Sequence, residues 1–152
     1  MSACELCDGP GGELLWSDER CRIVRVGAAE GSAFPGFCRV IWNRHVAEIS
    51  DLEVIDAAYF FDIVRRTERA IRALVRPAKI NLASLGNMVP HLHWHVIPRW
   101  QDDSHFPRPI WAEPLRPVVQ RQAPELQQFC QALAGEGLAR ALGDKRISEK
   151  LG

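Results

Sequence analysis

The 152-residue chain has no charge of one sign in excess: 19 Lys plus Arg stand against 19 Asp plus Glu. Without such an excess there is no general electrostatic footing for a nucleic-acid polymer or a membrane surface. The chain also lacks an apolar run of roughly 18 residues, the length a membrane-spanning helix needs. Its opening, MSACELCDGPGG, has neither the basic start nor the apolar middle of a secretory signal. The expectation is a soluble, cytoplasmic protein. Cysteines are few and odd in number, five in all, in a chain long enough to fold on a hydrophobic core, so free thiols or metal ligands are expected before a disulfide framework. Cys38, in a strand-like run, and Cys130, in a helical pattern, read as small buried apolar residues; Cys21 carries no signal. There is no internal repeat, low-complexity tract or dividing linker, so residues 1–152 are expected to form one domain.

Local patterns supply the elements. Leu14-Leu15-Trp16 and Arg22 to Val26 read as two strands joined by the polar turn Ser17 to Arg20, and Gly27 to Gly36 reads as a loop. Phe37 to Trp42 is a further β-favouring run. Ser50-Asp51-Leu52-Glu53 has the form of a capping box. From it Val54, Ala58, Phe61, Val64, Ile71 and Val75 recur at helical spacing, with Arg65, Arg66, Arg69, Arg72 and Arg76 on a solvated face. Pro77 stops that helix, and Lys79 to Ala83 suggests a strand leading through Gly86-Asn87 into a hairpin. Gln101 to Trp111, rich in proline and polar groups, reads as an ordered loop. Pro124 suits a first helical turn, followed by Leu126, Phe129, Cys130 and Leu133 on one face of a short helix, and a mixed-charge tail from Asp144 to Gly152 closes the chain. Strands and helices in this order predict an α+β fold, one antiparallel sheet with helices against it.

Two constellations carry chemistry. The first is an imidazole at every second position, His91-Leu92-His93-Trp94-His95, followed by Val96-Ile97-Pro98-Arg99. In an extended strand these three rings share one face. Imidazole titrates near neutrality and serves as nucleophile, acid, base or ligand, and three charged rings would repel, so the cluster predicts a reactive site. The second is Cys4-Glu5-Leu6-Cys7. Two thiolates at this spacing can clamp a tetrahedral ion if two further ligands come from elsewhere, and a redox pair or a plain reduced thiol pair fits the spacing equally. A metallohydrolase ligated by all three histidines lacks a comparable second ligand set. Trp16, Trp42 and Trp94 read as core or interface packing, Trp94 on the face opposite the histidines. His105, Arg99, Asp102, Asp103 and Ser84 read as loop and turn groups.

The triad pattern, His, apolar, His, apolar, His, apolar, apolar, closely resembles the histidine triad family of nucleotide hydrolases and transferases. Pro35-Gly36-Phe37 through Val40-Ile41-Trp42-Asn43-Arg44-His45 is similar to that family's upstream strand, and Lys79-Ile80-Asn81, Gly86-Asn87 and Val89-Pro90 to its approach to the triad. The resemblance spans roughly Cys4 to Arg99, with residues 1–99 the matched core and 100–152 a C-terminal loop, short helix and tail. It implies a half-barrel that pairs into a homodimer through its sheet and main helix. It implies that His93 attacks the α-phosphorus of a nucleotide conjugate, such as a dinucleoside polyphosphate or phosphoramidate, that the charge of His95 assists the transition state, and that His91 supports the triad. A nucleotidyltransferase, or a binding protein with vestigial catalysis, is the alternative. Asn81 matches a family amide that contacts phosphate or leaving group. Asn87 stands where glutamine is common, Met88 where a hydroxyl is usual, and Ala28 and Ala29, with Glu30 beside them, where the family has an acidic ribose contact. In the resemblance's cysteine-bearing members His45 and His91 complete the Cys4, Cys7 site, which implies a structural zinc, no catalytic metal, and a nucleotide-type small molecule as substrate rather than a nucleic acid or membrane.

Overall fold

Five short runs, three of them rich in β-branched and aromatic residues, build one open antiparallel sheet in a computed structural model that describes residues 3–139. β1 (Glu13–Ser17) and β2 (Cys21–Arg25) form a hairpin whose turn is closed by Asp18, its Oδ1 accepting the N–H groups of Arg20 and Cys21 at 2.8 Å each. β3 (Cys38–Trp42), β4 (Lys79–Ala83) and β5 (His93–Arg99) complete the spatial order β1-β2-β3-β5-β4. All neighbours are antiparallel, so the α+β architecture expected from the sequence is the one observed. The helices are α1 (Glu5–Asp8), α2 (Ala28–Ala33), α3 (Val54–Val75) and α4 (Leu126–Gly135), with a 3-10 turn at Ile49–Asp51. None of the helices among the described residues is long and apolar enough to cross a membrane.

Strand alternation gives the sheet two unlike faces. On one, Cys21, Ile23, Cys38, Val40, Trp42, Ile80 and Val96 are buried against Phe60, Ile63, Val64 and Ile71 of α3 and Phe129 and Leu133 of α4. Trp42 meets Phe60 edge to face at 5.6 Å. The other face follows from the register: Arg39 lies opposite His95, Ile41 opposite His93 and Asn81 opposite Ile97. This second face therefore carries Arg22, Arg39, Asn81, His93, His95 and Arg99 on a sheet whose first face is apolar.

The structure corrects several expectations. α3 begins at Val54 with Glu53 as N-cap, and Ser50 with Glu53 makes no capping box. The reciprocal pair lies one turn earlier, where the Glu48 N–H donates to Asp51 Oδ2 at 2.9 Å and closes the 3-10 turn. The buried stripe of α3 is Phe60, Ile63, Val64, Thr67, Ala70 and Ile71. Val54 (85% exposed) and Phe61 (44%) point away from the core, because tertiary contact rather than spacing selects the stripe. Of the arginines, Arg65, Arg69 and Arg72 are solvated as expected; Arg66 and Arg69 also reach Glu136 beyond α4. Gly27 to Gly36 holds the short helix α2 in place of an irregular loop. Pro124 precedes α4 instead of opening it; Glu125 is the N-cap. Cys38 is buried as expected, whereas Cys130 is half-buried, its S–H directed at the Leu15 carbonyl. The tail from Asp144 to Gly152 lies outside the described residues.

Candidate active site and metal-binding cluster

The histidine strand begins one step later than the sequence pattern suggests. Pro90 has no N–H to give a ladder, the His91 N–H turns back to the Val89 carbonyl at 2.8 Å, and β5 starts at His93. His93 and His95 thus share a sheet face, with rings 4.9 Å apart and nearly perpendicular. His91, fully buried, turns toward the N-terminal segment.

Each triad imidazole has a distinct set of partners. His93 Nδ1–H donates to the His91 carbonyl at 2.6 Å, which fixes the tautomer and leaves the Nε2 lone pair free. Ser84 Oγ–H donates to the His93 carbonyl at 3.0 Å and steadies the same residue. Burial lowers the His93 pKa against the opposing bond to the His91 carbonyl, and the nearby Arg39 charge adds to the lowering, which favours the neutral ring. His95 is held lower still, to about 3, by burial and then by the charges of His93 and Arg39. Burial thus favours the neutral ring of His95 in the free protein, and the charge the resemblance implies belongs to the transition state. The His95 ring lies between Phe37 (5.7 Å) and Trp111 (5.1 Å), and its Nδ1 is buried with no partner among the described residues.

Sequence reasoning placed Arg99, Asp102 and Asp103 in a solvated loop, and for two of them the structure differs. Arg99 and Asp103 are each 1% exposed, and Arg99 Nε and Nη2 donate to the Asp103 carboxylate at 2.8 and 3.0 Å. Asp103 also accepts the N–H groups of Trp100, His105 and Phe106. Burial acts to raise its pKa, but Arg99 and the three amides outweigh burial and hold it low. Arg99 Nη1 donates to Asn81 Oδ1 at 2.7 Å. Because guanidinium only donates, this bond orients the Asn81 amide with its nitrogen turned away from Arg99. The pair also anchors the loop that carries Trp111 over His95. Strand alternation from His95 through Ile97 already placed Arg99 on the triad face; the overlooked signal was that parity. Of the other expected substrate contacts, Asn87 is exposed, Met88 is 94% exposed, and Glu30 pairs with Arg39 at 3.3 Å.

Beside the triad, Cys4, Cys7, His45 and His91 each offer a ligand atom, all within 4.8 Å of one another. α1 is a single turn capped by Cys4, whose carbonyl accepts the Cys7 and Asp8 N–H groups and so brings the two thiols together. Gly11 leaves this segment at φ +81, where a Cβ would strike Leu6 and Ile41 at 2.7 and 2.8 Å. Cys7 Sγ lies 3.3 Å from His45 Nδ1 and 3.5 Å from His91 Nδ1, Cys4 Sγ 3.4 Å from His91 Nδ1, and the two Nδ1 atoms 3.3 Å apart. Zinc–ligand bonds of about 2.0–2.3 Å in a tetrahedron give edges of roughly 3.3–3.8 Å. His91 Nε2–H donates to the Trp42 carbonyl at 2.6 Å, which turns the Nδ1 lone pair toward the thiols. The donor set and its spacing fit a zinc-type ion.

The molecule is thus an α+β protein whose single antiparallel sheet presents a pair of polarised imidazoles beside a four-ligand sulfur and nitrogen cluster. The HIT domain model matches residues 13–102, and the chain belongs to that family. It is 32% identical over 78 residues to an AP-4-A phosphorylase of Mycobacterium tuberculosis, a match covering 47% of this chain and 40% of that relative. The chain therefore spans well under half the length of the curated relative it matches. A histidine triad protein from Bradyrhizobium japonicum superposes with a TM-score of 0.64 at 28% identity, over 82% of this chain and 90% of the other. A histidine triad protein from Sinorhizobium meliloti shares the fold with a TM-score of 0.66 at 21% identity, over 84% and 90%.

Proposed function

We propose that the protein cleaves nucleotide conjugates at the α-phosphate through a covalent nucleotidyl-His93 intermediate. The observation that carries this reading is the 2.6 Å bond from His93 Nδ1–H to the His91 carbonyl, which leaves the Nε2 lone pair unused on the triad face of the sheet. In the first step Nε2 bonds to the α-phosphorus as the bond from phosphorus to the leaving group breaks. The His91 carbonyl stabilises the proton that Nδ1 keeps while the ring takes on positive charge. His95 donates a hydrogen bond to a phosphate oxygen or to the leaving group, and a bound phosphate raises its pKa toward protonation. In the second step water attacks phosphorus and gives up a proton to solvent, the P–N bond returns its electron pair to Nε2, and a nucleoside monophosphate departs. Asn81, oriented by Arg99, directs its amide N–H toward the same phosphate or leaving group. Asn87 and Met88 border the site from the turn after β4.

A second reading keeps the intermediate and changes the acceptor. The likeness to an AP-4-A phosphorylase favours inorganic phosphate as that acceptor, with a nucleoside diphosphate as product. Diadenosine polyphosphates are accordingly the first substrates to try. A nucleotide-binding regulator with little turnover is the third reading. Cys4, Cys7, His45 and His91 would hold a structural zinc, which would tie the N-terminal segment to the residue whose carbonyl orients the nucleophile and, with four protein ligands, would leave no position for water. Residues 1–152 act as one domain. The edge strand β4, with Phe61 packed edge-on to Trp94 at 5.5 Å, fits a homodimer interface, and reduced thiols fit the cytoplasm.

The test is turnover of diadenosine tetraphosphate and an adenosine phosphoramidate, with and without inorganic phosphate and a chelator. Monophosphate release that His93→Ala lowers by roughly 10⁴-fold or more supports the hydrolase. Diphosphate formed only with phosphate supports the phosphorylase. Turnover undiminished in His93→Ala sinks both.

A further inference from the structure

Three arginines stand on the triad face of the sheet, and they are not equivalent. Arg22 is saturated: its three nitrogens donate to the carbonyls of Leu6, Gly9 and Pro10 and to Asn43 Oδ1, at 2.6 to 3.2 Å. Arg99 is saturated by Asp103, Asn81 and the Arg108 carbonyl. Arg39 is not. Its Nη1 reaches the Gly11 carbonyl and its Nη2 reaches Glu30, both at a long 3.3 Å, and its Nε is buried with no acceptor among the described residues. Its cross-strand partner His95 likewise has a buried Nδ1 without a partner. Directly opposed residues of an antiparallel pair set their Cβ atoms about 5 Å apart. Two cross-strand neighbours beside His93 thus each keep a buried nitrogen without a partner among the described residues, in a class of group that folded proteins rarely leave unpaired.

An anion accounts for this arrangement better than a tether does. Guanidinium forms its strongest bonds with phosphate and carboxylate oxygens, and the Arg39 charge already reaches the His95 ring. Glu30, largely exposed, is a weak counter-ion that a ligand can replace. We propose that Arg39 is a substrate-binding residue that, with His95, holds a phosphate oxygen of a nucleoside phosphate, and that this phosphate displaces Glu30. The inference rests on the nucleotide reading of the site and adds to it the residue that grips the anion.

Calorimetric binding of AMP, adenosine and inorganic pyrophosphate to wild type, Arg39→Lys, Arg39→Met and Glu30→Gln tests it, with monophosphate release from diadenosine tetraphosphate followed in parallel. Arg39→Met weakens AMP and pyrophosphate roughly tenfold or more and leaves adenosine unchanged, since one charged hydrogen-bonding partner is lost. Arg39→Lys falls between, and Glu30→Gln tightens AMP several-fold by removing the competing carboxylate. A structural tether predicts the reverse: unchanged AMP affinity in Arg39→Met with a lower melting temperature, and no gain in Glu30→Gln. His93-dependent turnover with AMP binding indifferent to Arg39 overturns this proposal and leaves the enzyme reading standing. Arg39-dependent AMP binding without turnover overturns the enzyme reading and keeps the anion site. A wild type that binds neither AMP nor pyrophosphate overturns both.

Discussion

The two faces of the sheet use the same five strands for opposite ends. On the α3 side, stability comes from apolar area removed from water, with Phe60, Ile63 and Ile71 almost wholly buried. On the triad side, buried charge and imidazole are kept, and three groups are made tolerable by a named partner: His91 by the Trp42 carbonyl, His93 by the His91 carbonyl, Arg99 by Asp103. The apolar face can lose a contact and keep its chemistry. The polar face has groups that become liabilities once a partner is removed, and on it Arg39 and His95 keep buried nitrogens without a partner among the described residues.

The sharpest way to break that contrast is to truncate one partner of the dry ion pair. Asp103→Ala leaves Arg99 buried and uncompensated and should cost about 3–5 kcal/mol in urea unfolding. It should also lower turnover by releasing Asn81 and the Trp111 loop; an unchanged kcat would detach the pair from the site. Phe60→Ala on the other face should cost a similar 3–5 kcal/mol, yet leave kcat and KM unchanged while the protein remains folded. Loss of activity there beyond the unfolded fraction would mean that the faces are not separable. A pH series sharpens the comparison further. Because the His95 pKa is depressed in the folded state to about 3, the unfolded chain binds more protons below about pH 6.5. Stability should therefore be full above pH 6.5 and decline as the pH falls toward 3. His95→Gln should flatten part of that decline, and an unaltered slope would count against the burial of the ring. The smallest effect is expected at Ser84→Ala, which removes one bond to the His93 carbonyl: about 1 kcal/mol, with a few-fold change in kcat.

The pair His93 and His95, the cysteine pair and the long helix were legible because each is a local pattern, whereas His91 leaves the alternation where Pro90 ends the ladder. The sheet could be inferred, and the hairpin into β5 lay within reach of the Gly86-Asn87 turn. What could not be read locally depended on parity and register carried across strands. Arg39 and His95 are 56 positions apart by number and face each other only once β3 pairs with β5. Arg99 looked like a loop charge because nothing near it announces that Asp103 will fold back beneath it. The buried stripe of α3 failed for a related reason: Phe60 and Phe61 are adjacent and equally apolar, and only the packing partner decides which one enters the core.

The clamp made by Arg22 bears on how the metal cluster fills. By gripping the carbonyl of Leu6, between the two thiols, and those of Gly9 and Pro10, beyond them, Arg22 pins this segment by hydrogen bonds that require no ion. Many small zinc modules are unfolded until the metal arrives, so that uptake and folding are one transition. Here Arg22 holds the same segment by bonds of its own, so a metal at the cluster would not have to supply every bond that keeps the segment on the sheet.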